Sequence, residues 1–175
     1  MRLSVILIAH KLAREISRTL QSLSREYQLD SQDLQYEFLV NENGSDIPLD
    51  QSVIEKICPH VHYHCLQDSP SSPAFDINYG VEHSKGDILC LLIDVAHMLT
   101  RGVFELALAV FRAFLKPDAL TRYFFLGPGE QNESVVRGYN QEKEDELLRK
   151  ISWPDDGYRL SEIGTPLKGD HPKIA

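Results

Sequence analysis

The chain opens on Leu3-Ser4-Val5-Ile6-Leu7-Ile8-Ala9, and a similar near-continuous apolar character returns over Tyr36 to Val40 and over Ile88 to Ile93. Short runs rich in β-branched residues, without the polar alternation of a half-exposed strand, suit strands covered on both faces; such strands occur in parallel sheets flanked by helices. The intervening segments support that reading. Leu12, Ile16, Leu20 and Leu23 recur at helical spacing with Arg14, Arg18, Gln21 and Arg25 on the other side, which predicts a helix over 12–27. Further helices are expected over 49–57, over 75–83 before Lys85-Gly86-Asp87, and over 103–115 before Pro117, with another strand over 61–66. Each crossover is long enough for a parallel connection. The expected fold class is therefore α/β, a doubly wound and mainly parallel sheet with helices on both faces.

Composition narrows the partners. A chain of 175 residues can bury one core, and its 42% hydrophobic and 25% charged content is that of a soluble globular protein. A formal net charge of -8 opposes the counterion release on which binding to polymeric DNA or RNA depends, so no nucleic-acid partner is expected. Cys58, Cys65 and Cys90 are odd in number and lack paired zinc spacing, and Met1-Arg2 leads straight into a strand rather than a signal peptide. A reduced, cytoplasmic setting is the expectation. The longest apolar stretch, 103–115, carries Glu105 and Arg112 and falls short of the ~20 residues that span a bilayer. No transmembrane segment is expected, which leaves peripheral membrane association open. Beyond 117 the character changes: 123–126 is strand-like, 127–129 is a turn, and 142–151 is a charged helix.

The apolar runs end on polar residues. Ile8 is followed by Ala9-His10-Lys11, Val40 by Asn41-Glu42-Asn43-Gly44-Ser45-Asp46, and Ile93 by Asp94. In open α/β sheets ligands collect outside the carboxyl ends of the strands, where carboxylates and amides can accept from base and ribose donors. A dinucleotide site is disfavoured, because no Gly-x-Gly-x-x-Gly follows the first strand. His60, His62 and His64 alternate on one predicted strand, but same-face neighbours stand ~7 Å apart and seldom converge on one ion.

The ordered set of strand-Ala9-His10-Lys11, strand-Glu42-Asn43-Gly44-Ser45, Asn78-Tyr79-Gly80 on a helix, Lys85-Gly86-Asp87 and strand-Asp94 resembles the nucleotide-sugar-binding half of family 2 glycosyltransferases of the GT-A fold. Leu126-Gly127-Pro128-Gly129, Gly138-Tyr139, Glu144-Asp145 and Trp153-Pro154-x-Asp156-Gly157-Tyr158-Arg159-Leu160 are similar to a bacterial branch of that family. The resemblance implies a GT-A-like, Rossmann-like fold. It implies inverting transfer of a sugar from a nucleoside-diphosphate sugar to a carbohydrate or lipid-linked acceptor, assisted by a divalent Mg or Mn. On it, Ala9, His10, Glu42, Asn78 and Asp94 are the donor-binding candidates, with Glu42 at the base or ribose. Asp94 stands as the first carboxylate of the Asp-x-Asp metal motif; Ala96 occupies the second position, and His97 becomes the substitute metal ligand. Ile77 replaces the basic residue common beside Asn78.

The domain reading is 1–116 for nucleotide-sugar binding and 117–175 for the start of an acceptor-side region. No residue is assigned as catalytic base, which such enzymes usually carry further along. The alternative is a non-catalytic nucleotide-binding or interaction module of the same fold. Each candidate also has a structural reading: Glu42 as a turn acid solvating a strand end, Asp94 as a helix cap, Trp153 as a core residue and Glu144-Asp145 as a solvated helix face.

Overall fold

Four parallel strands, β1 (Arg2–Ala9), β2 (Gln35–Asn43), β3 (Val61–Leu66) and β4 (Ile88–Ile93), form one sheet in the order β3-β2-β1-β4. The computed structural model describes residues 2–10, 16–28, 35–66, 70, 72–93, 98–114 and 140–163. Helices α1 (Ile16–Leu23) and α2 (Arg25–Gln28) connect β1 to β2, α3 (Gln51–Ile57) connects β2 to β3, and α4 (Pro73–His83) connects β3 to β4. The first two crossovers step one way across the sheet and the third steps back past β1. Since parallel crossovers are right-handed, this reversal puts α4 on the face opposite α1 and α3. The expected doubly wound α/β architecture is thus present.

Both faces of the two central strands are apolar and closed. On one, Ile6, Ile8 and Leu39 form a cluster against which Ile77 of α4 packs. On the other, Val5, Leu7, Phe38 and Val40 are buried, as are Ile16, Leu20 and Leu23 of α1 and Ile54 of α3. Contact between α4 and the sheet is close at Gly80, where an added Cβ would lie 2.5 Å from Ile6 Cγ2 and 2.8 Å from Asn41 Nδ2. Helix starts follow capping chemistry: Asp50 Oδ1 accepts from Ser52 N–H at 2.9 Å, and Ser72 Oγ accepts from Ala74 N–H with Pro73 at the first helical position.

Two boundaries differ from the pattern-based expectation. The single helix expected over 12–27 is two helices, because Ser24 Oγ donates to the Gln21 carbonyl and accepts from Tyr27 N–H, substituting a local turn for helical pairing. The second strand extends three residues past Val40, since Asn41, Glu42 and Asn43 pair with His64, Cys65 and Leu66 of β3. The turn begins at Gly44, whose φ of 54° is the left-handed conformation for which glycine suits it.

Contacts divide the chain into two compact units, residues 1–98 and 99–175. The second holds α5 (Val103–Phe114), α6 (Gln141–Lys150), a 3-10 turn (Gly157–Arg159) and α7 (Leu160–Ile163). Asn140 Oδ1 caps α6 by accepting from Lys143 N–H, and Leu148, Ile151 and Leu160 are buried. Arg159 and Glu162 form a two-pronged ion pair, both contacts at 2.9 Å. The strand and turn expected over 123–129 lie outside the described residues. Among the described residues no helix is long and apolar enough to cross a membrane.

Candidate functional site

Strand order reverses between β1 and β4, so the crevice of a doubly wound sheet opens beyond the carboxyl ends of those two strands. His10 follows β1 there, and in the sequence Asp94 follows β4 directly. Ala9 is buried and pairs across the sheet with Glu42 of β2. His10 is exposed, and its Nδ1 lies 2.7 Å from the Asn43 carbonyl oxygen. A carbonyl can only accept, so Nδ1 is the donor in this contact. Asp94 and His97, the expected metal ligands, lie outside the described residues, as does Ala96. Among the described residues no group of three His, Cys, Asp or Glu side chains could hold a metal ion.

Glu42 stands differently from a turn acid in solvent. It is 1% exposed, and its Oε2 accepts from Leu49 N–H at 2.8 Å and from the Tyr63 hydroxyl. The reason is the longer strand: pairing with β3 places Glu42 on the same face as Tyr63. Burial, then the bond to Glu42, push the Tyr63 phenol well above its ordinary range, so the hydroxyl remains a donor. Glu42 thereby ties the far end of the 44–50 loop back to its own strand.

A second network lies under α4. Asp76 is fully buried; its Oδ2 accepts from Asn43 Nδ2 at 2.6 Å, and its backbone carbonyl accepts from Asn41 Nδ2 at 2.8 Å. Asn43 Nδ2 also donates to the Pro70 carbonyl at 2.9 Å, linking β2, α4 and the loop before α4. Among the described residues, two oxygens of this network, Asn41 Oδ1 and Asp76 Oδ1, are buried with no hydrogen-bond partner. Pattern reading placed Asn41 and Asn43 at a polar strand end without their partners, and missed Tyr63 and Asp76. Asp76 alone left a signal, since it stands four residues before Gly80 and so shares the helix face that this glycine presses on the sheet.

Asn78 is exposed on α4, while its neighbour Ile77 faces the apolar cluster. The replacement of a basic residue by isoleucine has therefore become core packing. Lys85 belongs elsewhere: its backbone N–H donates to Glu37 Oε1 at 2.6 Å, at the amino end of the sheet. The three alternating histidines do not form a comb. His60 lies in the turn before β3, His62 stands 3.8 Å from Glu37, and the His64 ring lies edge-on to Tyr79, 5.2 Å away between centroids.

Comparison with known proteins places the fold. No protein-family model matches the chain, and no curated protein does. Solved structures do. The chain is similar to S. aureus TarS 1-349, with 19% identity over 65% of this chain and 33% of that one and a TM-score of 0.54. It is similar to a structure of S. aureus TarS, with 19% identity over 65% and 20% of the two chains and a TM-score of 0.53. It is also similar to S. aureus TarS 1-349 in complex with UDP, with 17% identity over 73% and 40% and a TM-score of 0.55. The chain thus spans well under half the length of these structures. At such identities the likeness is one of fold: the parallel sheet and its helices are GT-A-like.

Proposed function

We propose that this chain carries the donor-binding part of a glycosyltransferase, taking a nucleoside-diphosphate sugar at the carboxyl ends of β1, β2 and β4. The observation that carries the reading is the meeting of the β1/β4 switch point with polar strand ends in a GT-A-like sheet. The UDP complex of the similarly folded TarS supports the ligand class. In this reading Ala9 and His10 border the base, Asn78 lies beside the sugar nucleotide, and Glu42 shapes the loop under the base from inside the fold. Asp94 with His97 would hold a divalent cation, which supplies charge to a departing diphosphate. Sugar transfer itself requires deprotonation of an acceptor hydroxyl and its attack on the sugar C1, with the acceptor side beginning after residue 116.

A second reading, a nucleotide-binding module without transfer activity, is favoured by Ile77 in the core and Ala96 in the metal motif. One experiment addresses both. Thermal unfolding with UDP, GDP and other nucleoside diphosphates, in Mn²⁺ or Mg²⁺ and in chelator, should raise the melting temperature for one of them, because a ligand of the native state stabilises by mass action. No shift with any of them at millimolar concentration overturns the donor-site reading. A shift without sugar release from the matching nucleotide sugar selects the module.

A further inference from the structure

A cavity lined by described residues lies at the opposite end of the sheet from the candidate donor site. It is a cleft of about 300 Å³ bordered by Arg2, Arg25, Tyr36, Glu37, Pro59, His60, Val61 and His62, which gathers the amino ends of β1, β2 and β3. Strands of six to nine residues rising ~3.3 Å each put it roughly 20 Å from the carboxyl ends. It is therefore a different place from the candidate donor site.

Its charge is unusual for this molecule. The chain carries a formal net charge of -8, yet two arginines and two histidines border this cleft, with one carboxylate among the described lining residues. That carboxylate is directed into the fold. Glu37 is 3% exposed; Oε1 accepts from Ser4 Oγ at 2.7 Å and Lys85 N–H at 2.6 Å, and Oε2 accepts from Arg2 Nη2 at 2.8 Å. Its charge is met by Arg2 and by protein dipoles, with His62 Nε2 standing 3.8 Å from Oε2. Arg25 is exposed, and its guanidinium lies 4.8 Å from the Tyr36 ring centroid, a stacking that restrains the plane while leaving the N–H edge for a ligand. His60 and His62 are exposed and each can present a ring N–H.

We infer that this cleft is an oxyanion site for a phosphate group, held by Arg25 with His60 and His62 and bordered by the Arg2–Glu37 pair. A guanidinium fork offers paired N–H bonds to two oxygens of a tetrahedral phosphate, and imidazole N–H groups suit the remaining ones. A spherical halide satisfies only part of that set. The volume exceeds that of a bare phosphate, so a small phosphate ester fits as well as the free ion.

The test is titration calorimetry of the protein at constant ionic strength with sodium phosphate, glycerol phosphate and sodium chloride. Saturable, millimolar or tighter binding of phosphate or its ester, absent with chloride, is expected; tighter binding of glycerol phosphate assigns an ester and the reverse assigns the free ion. Arg25→Gln should weaken binding at least fivefold and His62→Gln two- to threefold, with both variants melting like the parent. Asn78→Ala, at the other end of the sheet, should leave phosphate binding unchanged. Equal heats for phosphate and chloride, full affinity in both Arg25→Gln and His62→Gln, or loss of phosphate binding in Asn78→Ala would each overturn the assignment.

Discussion

Two buried glutamates, five residues apart on β2, serve the two ends of the sheet in different ways. Glu37 at the amino end receives three hydrogen bonds from β1 and from the Lys85 segment, and Arg2 adds a charge. Burial alone would raise the Glu37 carboxyl, but the bonds from Ser4 and Lys85 and the Arg2 charge outweigh it and hold it below its ordinary 4.5. Around it the backbone is sewn shut: Gly86 N–H donates to Ser4 Oγ at 2.8 Å, Arg2 N–H to Asp87 Oδ2 at 2.9 Å, and Asp87 N–H to the Arg2 carbonyl at 2.8 Å. Glu42 at the carboxyl end ties back one loop, and the network beside it leaves Asn41 Oδ1 and Asp76 Oδ1 without hydrogen-bond partners among the described residues. The amino end closes the fold. The carboxyl end instead spends its buried polar groups on holding a loop and α4 in place, at the end of the sheet where a doubly wound fold takes its ligand.

The largest effect that would break this contrast comes from Glu37→Ala. It strands the Ser4 hydroxyl, the Lys85 N–H and Arg2 at once, and losing one partner of a largely buried charged network costs about 3 kcal/mol. Urea unfolding should show that loss, with Glu37→Gln recovering part of it; a change under about 1 kcal/mol would mean that the clamp is dispensable. Next comes Gly86→Ala. The added Cβ would lie 2.6 Å from Ser4 N and 2.9 Å from the Arg2 carbonyl oxygen, and backbone cannot swing aside, so a loss of about 2 kcal/mol is expected.

A smaller loss, about 1–2 kcal/mol, is expected for Glu42→Ala, which leaves the Leu49 N–H and the Tyr63 hydroxyl without their acceptor. It sharpens the comparison when paired with Tyr63→Phe, which removes the hydroxyl and leaves Glu42 bonded to Leu49. If Glu42 acts by shaping the loop, Tyr63→Phe should weaken nucleotide binding in proportion to its smaller loss of stability. If Glu42 touches the nucleotide, Glu42→Ala should abolish binding while Tyr63→Phe leaves it intact.

Much of the fold was legible because its evidence is local. Continuous apolar runs mark β1 and β4, whereas the caps Asp50, Ser72 and Asn140 emerge only in the structure. The site was legible only as a list of strand ends, because its geometry depends on pairing. Glu42 reads as a turn residue until β3 extends β2 by three positions, and Lys85-Gly86-Asp87 reads as a helix stop although its partners stand 48 to 85 residues away in the chain. Ile77 shows the same limit: the sequence does not reveal that its side chain packs against the Ile6, Ile8 and Leu39 cluster.

The smallest expected effect is in pH, and it separates the two ends by titration. His64 on β3 meets Tyr79 and His83 of α4, and His83 Nδ1 is bonded to the Tyr79 carbonyl at 2.8 Å. Burial first, then the neighbouring His83 and His62, hold His64 below its ordinary 6.5. A base whose folded pKa is depressed binds fewer protons in the native state than in the unfolded one, so stability rises with pH across that interval. The contribution of His64 should be intact above about pH 6.5 and decline as the pH falls below it. Glu37 is an acid with a lowered pKa, so its stabilisation is present above 4.5 and lost only as the pH falls through its folded value. Unfolding free energy measured from pH 8 to pH 2 should therefore fall in two separate stages. His64→Gln should flatten the upper stage without touching the lower, because glutamine does not titrate. A parent profile that stays flat between pH 7 and pH 5 would show that protonating His64 costs the α4 contact nothing.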